Sequence, residues 1–135
     1  MNFTRETFNK SERLKSIKVI EGLFETGEIF FSPLLKVVWQ RSPDLNPYPA
    51  QIAFSVPKKR FRFAVIRNLI RRRMREAYRK NKQFLYEELS AINTQIVFVV
   101  IFRGDNIPNY ITIEKSLKEM IKELIRRIKE VDQKR

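Results

Sequence analysis

A chain of 135 residues with 43% apolar side chains is long enough for one domain with a real core, and too apolar for a disordered basic tail. Its formal charge of +13 points to a polyanionic partner, nucleic acid first and acidic membrane second. The absence of Cys and His excludes a disulfide framework, a zinc ribbon, thiol chemistry and an imidazole base, and with only 3 Gly and 6 Pro there is no low-complexity linker.

The first ten residues are polar and lack the apolar stretch of a secretory signal, so the cytoplasm is the expected location. The apolar run at 96–102 is far short of the ~20 residues of a spanning helix. A first helix is expected over 16–25. Ile17, Ile20 and Phe24 fall at i, i+3 and i+7 with Leu23 beside them, and Gly27 lies where a helix would stop. After Pro33 the run 34–40 reads as a strand. Ser42-Pro43-Asp44-Leu45-Asn46-Pro47-Tyr48-Pro49 is dense in turn formers and leads to a second strand over 51–56, so a hairpin is the economical reading.

Pro57 closes that strand, and a long helix is expected over 64–89. Its Ile66, Ile70, Met74 and Ala77 share an arc of about 80° at ~100° per residue. Residues 95–102 are almost continuously apolar, as suits a central strand covered on both faces. Thr112 can cap a last helix of about twenty residues. Ile113, Leu117, Met120, Ile121, Leu124, Ile125 and Ile128 form its core face, and Arg126, Arg127 and Lys129 near its end complement the helix dipole. The order α-β-β-α-β-α implies a single α+β or α/β domain with helices covering a small sheet.

Charge is concentrated rather than spread. Residues 58–82 hold twelve Lys or Arg and one acid, Glu76, a net of +11, while the other 110 residues carry a net of only +2. On a helical wheel Arg67, Arg71, Lys82, Arg75, Asn68, Arg79 and Arg72 fall within about 140°. A solvated basic face would interleave Glu at i±4, and Glu76 alone does so. A membrane surface would favour Lys and a bulky aromatic face. Arginine suits phosphate because its planar fork donates two parallel hydrogen bonds, and Asn68 within the row can both donate and accept.

The string Phe63-Ala64-Val65-Ile66-Arg67-Asn68-Leu69-Ile70-Arg71-Arg72-Arg73-Met74-Arg75-Glu76-Ala77-Tyr78-Arg79 resembles the signature of the bacterial ribonuclease P protein subunit. Phe8 and Arg13-Leu14 before a helix ending Leu23-Phe24-Glu25-Thr26-Gly27 agree with it. So does Phe54-Ser55-Val56-Pro57-Lys58-Lys59, a strand running into two lysines. The chain departs from the pattern in three places. Arg71-Arg72 stands where a basic pair beginning with Lys is usual, Ile20 replaces an aromatic, and the connection Arg60-Phe61-Arg62-Phe63 is one residue longer and lacks Gly.

The resemblance implies a mixed, four-stranded α+β fold like that of the second domain of a small-subunit ribosomal protein, with a left-handed β-α-β crossover. It implies an endoribonuclease whose catalyst is a partner RNA, which removes the 5′ leader of precursor tRNA with Mg2+ bound mainly by that RNA. Lys58, Lys59, Arg67, Asn68, Arg71, Arg72, Arg75 and Arg79 would contact RNA. Phe24 and Trp39, with Phe8 and Phe54, would line a groove for the leader, stacking on unpaired bases with little sequence preference. Core packing is the equal alternative for Phe24 and Phe54. Trp39, at a strand end among polar neighbours, is expected to be partly exposed. No catalytic residue and no protein-held metal is expected, because the basic segment has one acid. The alternative is a structural RNA-binding protein such as a ribosomal protein. Sequence-specific DNA binding is disfavoured by the lack of a helix-turn-helix pair.

Overall fold

The computed structural model describes residues 7–133. Most of the polar N-terminal stretch, residues 1–6, lies outside the described residues. After a 3-10 turn at Lys10–Glu12 come α1 (Ile17–Thr26), β1 (Glu28–Ser32), β2 (Leu35–Arg41), β3 (Ala50–Ser55), α2 (Ala64–Ala91), β4 (Ile96–Phe102) and α3 (Tyr110–Gln133). The four strands form one mixed sheet in the order β1-β2-β4-β3, as an α+β reading requires.

One expectation about strand pairing needs correction. β2 and β3 are not a hairpin: β4 lies between them, antiparallel to β2 and parallel to β3. The hairpin is instead β1–β2, with Ser32 opposite Leu35 across Pro33-Leu34. Proline presets the first turn position and Leu34 takes the second at φ 67°, a place usually given to Gly. β3 and β4 are joined through α2, which gives the β-α-β unit its long crossover.

Period two sorts each strand between the faces of the sheet. Leu35, Val37 and Trp39 of β2 and Ile96, Phe98, Val100 and Phe102 of β4 face α2 and α3 in the main core. Val38, Val97 and Val99 face the other way, under Leu14 and Leu23. The central strand is therefore covered on both sides, which explains its unbroken apolar run.

Helix ends follow local chemistry. Ser16 caps α1 by accepting from the Val19 amide at 3.2 Å. Gly27 ends α1 at φ −70°, so its need for Gly is steric: a Cβ there would lie 2.5 Å from the Leu23 carbonyl oxygen. α2 stops where Asn93 adopts φ 51°. Asn109, not Thr112, caps α3: its Oδ1 accepts from the Thr112 amide at 2.9 Å.

Candidate nucleic-acid interface

The basic surface begins where β3 ends. Lys58, Lys59 and Arg60 occupy an exposed turn after Pro57, whose carbonyl accepts from the Arg60 and Phe61 amides at 3.2 and 3.3 Å. The connection that departs from the family pattern is firmly held. Phe61 is buried against Phe102, with ring centroids 6.0 Å apart, and Arg60 pairs with Asp105 at 2.6 Å. Arg67 donates to the carbonyls of Phe61 and Arg62 at 2.9 and 2.8 Å. The buried Phe61 ring anchors this connection, and Arg67 braces it from the first turn of α2.

Along α2, Asn68, Arg72 and Arg75 are exposed and Arg67, Arg71 and Arg79 half-buried. Asn68 Oδ1 accepts from Arg71 at 2.5 Å, leaving its amide nitrogen to donate outward. Val65, Ile66, Asn68, Leu69, Arg71, Arg72 and Arg75 line an open hollow of about 480 Å³. Glu76 is held by Arg79 at 2.5 Å and lies 4.0 Å from Lys80. Hydrogen bonding from Arg79 foremost, then the charges of Arg79 and Lys80, lower its carboxyl below the ordinary value. Partial burial, then the charges of Arg13 and Arg71, lower the Arg75 guanidinium from its usual value. Among the described residues Lys58, Lys59, Arg72 and Arg75 have no carboxylate within 4.0 Å.

The wheel misplaced one cation. Lys82 is 3% exposed and its ammonium is ion-paired with Glu12, which is wholly buried. The row of outward cations therefore ends near Arg79. Arg73, on another side of the helix, donates to the Pro108 carbonyl at 2.6 Å and ties α2 to the approach of α3.

Of the four aromatic candidates the structure brings only Phe8 and Phe54 together. Phe24 is 53% exposed on α1. Phe8 and Phe54 are half-buried and packed edge-to-face on each other and on Tyr78, with ring centroids 5.9–6.3 Å apart. Trp39 is 3% exposed, on the α2/α3 side of the sheet, and its indole nitrogen has no hydrogen-bond partner among the described residues. The expectation of a partly exposed Trp39 is thus corrected: period two turns its side chain away from the α1 face and into the core.

On the α1 face a different row is presented. Register aligns Phe31 of β1 with Lys36 of β2, Ile101 of β4 and Ser55 of β3. Phe31 is 57% exposed, with the Arg103 guanidinium 4.9 Å from its ring centroid. Sequence reasoning missed this aromatic because it did not resolve β1. Arg13 and Lys15, exposed beside the free edge of β3, were also passed over as site residues, although Arg13 belongs to the family-like pattern.

A mixed sheet with helices on one face, α1 on the other and a row of guanidinium groups leading from one strand end defines a basic RNA-binding domain of the α+β class. The family model for ribonuclease P matches residues 8–129. The chain is 38% identical over 115 residues to a ribonuclease P protein component of Porphyromonas gingivalis, covering 84% of this chain and 82% of that protein. It is 31% identical over 125 residues to one of Chlorobium phaeobacteroides, covering 85% and 86%. Among solved structures it is similar to the RNase P protein of Staphylococcus aureus, at TM-score 0.68 and 22% identity over 85% of this chain and 96% of that one. The RNase P protein of Thermotoga maritima gives TM-score 0.64 at 21% identity, over 83% and 96%. The chain belongs to the ribonuclease P protein family.

Proposed function

We propose that the chain serves as the protein subunit of a ribonuclease P whose active site is RNA, and that it helps that RNA engage the 5′ leader of precursor tRNA in the cytoplasm. The observation that carries this reading is the division of its surface. One face holds the exposed Lys58, Lys59, Arg72 and Arg75, suited to phosphates of a folded RNA. Another, beside α1, offers exposed Phe24 and Phe31 with Lys36, suited to unpaired bases.

In this reading the hydrolytic step belongs to the partner RNA. Among the described residues no group of three His, Cys, Asp or Glu is placed to hold a metal ion, and Glu76 is engaged by Arg79. These residues do not fit a protein-held magnesium ion, so a Mg2+ at this face would take its ligands from RNA phosphates. The protein's part is positioning and charge neutralisation. No described helix is long and apolar enough to cross a membrane.

Reconstitution tests the reading. Protein added to the catalytic RNA should raise cleavage of precursor tRNA, and should favour substrates with a 5′ leader over those without. Protein alone should cleave neither. Cleavage without RNA would overturn the assignment, and stimulation indifferent to the leader would leave only a structural RNA-binding role.

A further inference from the structure

Glu12 is wholly buried. Its carboxylate accepts from the Lys82 ammonium, from the Tyr86 hydroxyl at 2.7 Å and from the Asn9 amide at 2.7 Å. Lys82 also donates to the Thr7 carbonyl and lies within 6.0 Å of the ring centroids of Phe8, Tyr48 and Tyr86. Burying two charges is costly, and an apolar pair of like size is often no less stable. Stability alone therefore explains this ion pair poorly. Its geometric effect is definite: it fastens the segment before α1 to the middle of α2.

The next residue is Arg13. It bridges to Ile52 on the free edge of β3, where the Leu14 amide donates to the Ile52 carbonyl at 2.9 Å. The Arg13 guanidinium stands 5.1 Å from the Phe8 ring centroid. Phe8, Arg13, Lys15, Phe54 and Arg75 line one cavity of about 210 Å³. The chain thus reaches from a buried anchor to a cationic rim within one residue.

We infer that Glu12 and Lys82 are positioning residues for RNA, holding Arg13 beside Arg71 and Arg75 so that its guanidinium adds a backbone-phosphate contact of its own to theirs. Among the described residues none of the three has a carboxylate within 4.0 Å. The lowered value at Arg75, caused by burial and then by Arg13 and Arg71, agrees with cations gathered without a counter-ion. The aromatic wall of Phe8 and Phe54 gives the site one dry side, where charge-assisted hydrogen bonds are stronger than in water. This inference rests on the RNA-binding reading above and adds to it a specific phosphate contact, together with the buried device that places it.

A double-mutant cycle on RNA affinity tests it, using the catalytic RNA of the reconstitution assay. Arg13→Ala should weaken binding about fivefold near 0.15 M salt and lower the salt slope by ~0.9, the share of one phosphate contact. In a Glu12→Gln background the same substitution should change affinity far less, because Arg13 is no longer held in place. An equal loss in both backgrounds, with Glu12→Gln folded by circular dichroism, would overturn the positioning role. If Glu12→Gln does not fold, amide exchange in the unmutated protein decides. RNA should slow exchange at Leu14 beyond any slowing at Val100 of β4, and Arg13→Ala should abolish that excess. Equal slowing at both amides would sink the idea. Failure of the unmutated protein to bind the RNA would instead remove the functional reading itself.

Discussion

Arg75 and Lys82 stand about two turns apart on one stripe of α2, yet they live in different solvents. Arg75 faces outward among Arg13 and Arg71 with no carboxylate partner among the described residues, whereas Lys82 is buried and paired with Glu12. What separates them is the segment around Lys10–Glu12, which covers the middle of the helix and leaves its first turns bare. A wheel gives direction but not neighbours. One run of cations is therefore half interface and half anchor.

The sharpest way to break that contrast is to remove each cation in turn. Lys82→Met leaves the Glu12 carboxylate buried with, among the described residues, Tyr86 and Asn9 to satisfy it, and should destabilise the fold by about 3–5 kcal/mol. Arg75→Ala removes an exposed group from a crowd of like charge and should stay within ~0.5 kcal/mol. Urea denaturation midpoints at constant m-value measure both. Comparable losses would mean that Lys82 is not the buried anchor described.

RNA binding should reverse the ranking. Arg72→Ala combined with Arg75→Ala should flatten the dependence of log affinity on log salt by ~1.8 and weaken binding about thirtyfold near 0.15 M salt. A titration series across salt concentrations reads the slope directly. An unchanged slope would show that the exposed half of α2 is not where the phosphates lie.

A second contrast concerns the aromatic side chains. Phe24→Ala and Phe31→Ala should each weaken binding of a leader-bearing precursor by ~1 kcal/mol, the lower end for a stacked base because both rings are only about half exposed. Trp39→Phe should leave leader affinity unchanged, since Trp39 is buried on the opposite side of the sheet. Loss of leader preference in Trp39→Phe would mean that the tryptophan moves outward on binding.

The sequence showed the helices well because their apolar residues recur at helical spacing. α1, α2 and α3 lie where Ile17 to Phe24, Ile66 to Ala77 and Ile113 to Ile128 place them. The face of Trp39 was not legible, because Val37, Val38 and Trp39 are all apolar in a strand covered on both sides, so alternation is erased. The pairing of β2 was not legible either. Its neighbour β4 lies far downstream, and its true hairpin turns on a leucine with positive φ rather than on glycine. For Glu12 there was no signal at all: a carboxylate in a polar N-terminal segment reads as surface until the fold brings Lys82 to it.

The smallest expected effect sharpens the contrast on α2 itself, where Glu76–Arg79 is the exposed counterpart of Glu12–Lys82. The Glu76 side chain is 43% exposed. Its carboxyl is lowered by the Arg79 hydrogen bond first and then by the charges of Arg79 and Lys80. A carboxyl whose folded value lies below its unfolded one contributes fully above the unfolded value, about pH 4.3 for Glu, and loses that contribution as pH falls through the folded value. Solvent screening of so exposed a pair holds the contribution under ~1 kcal/mol. Glu76→Gln should therefore lower stability slightly at pH 7 and converge with the unmutated protein in acid, once pH has fallen through the lowered folded value. Thermal melts across that range read the convergence. A Glu76→Gln loss at pH 7 as large as that of Lys82→Met would show that exposure does not set the worth of these two pairs, and that the division of α2 into interface and anchor is wrong.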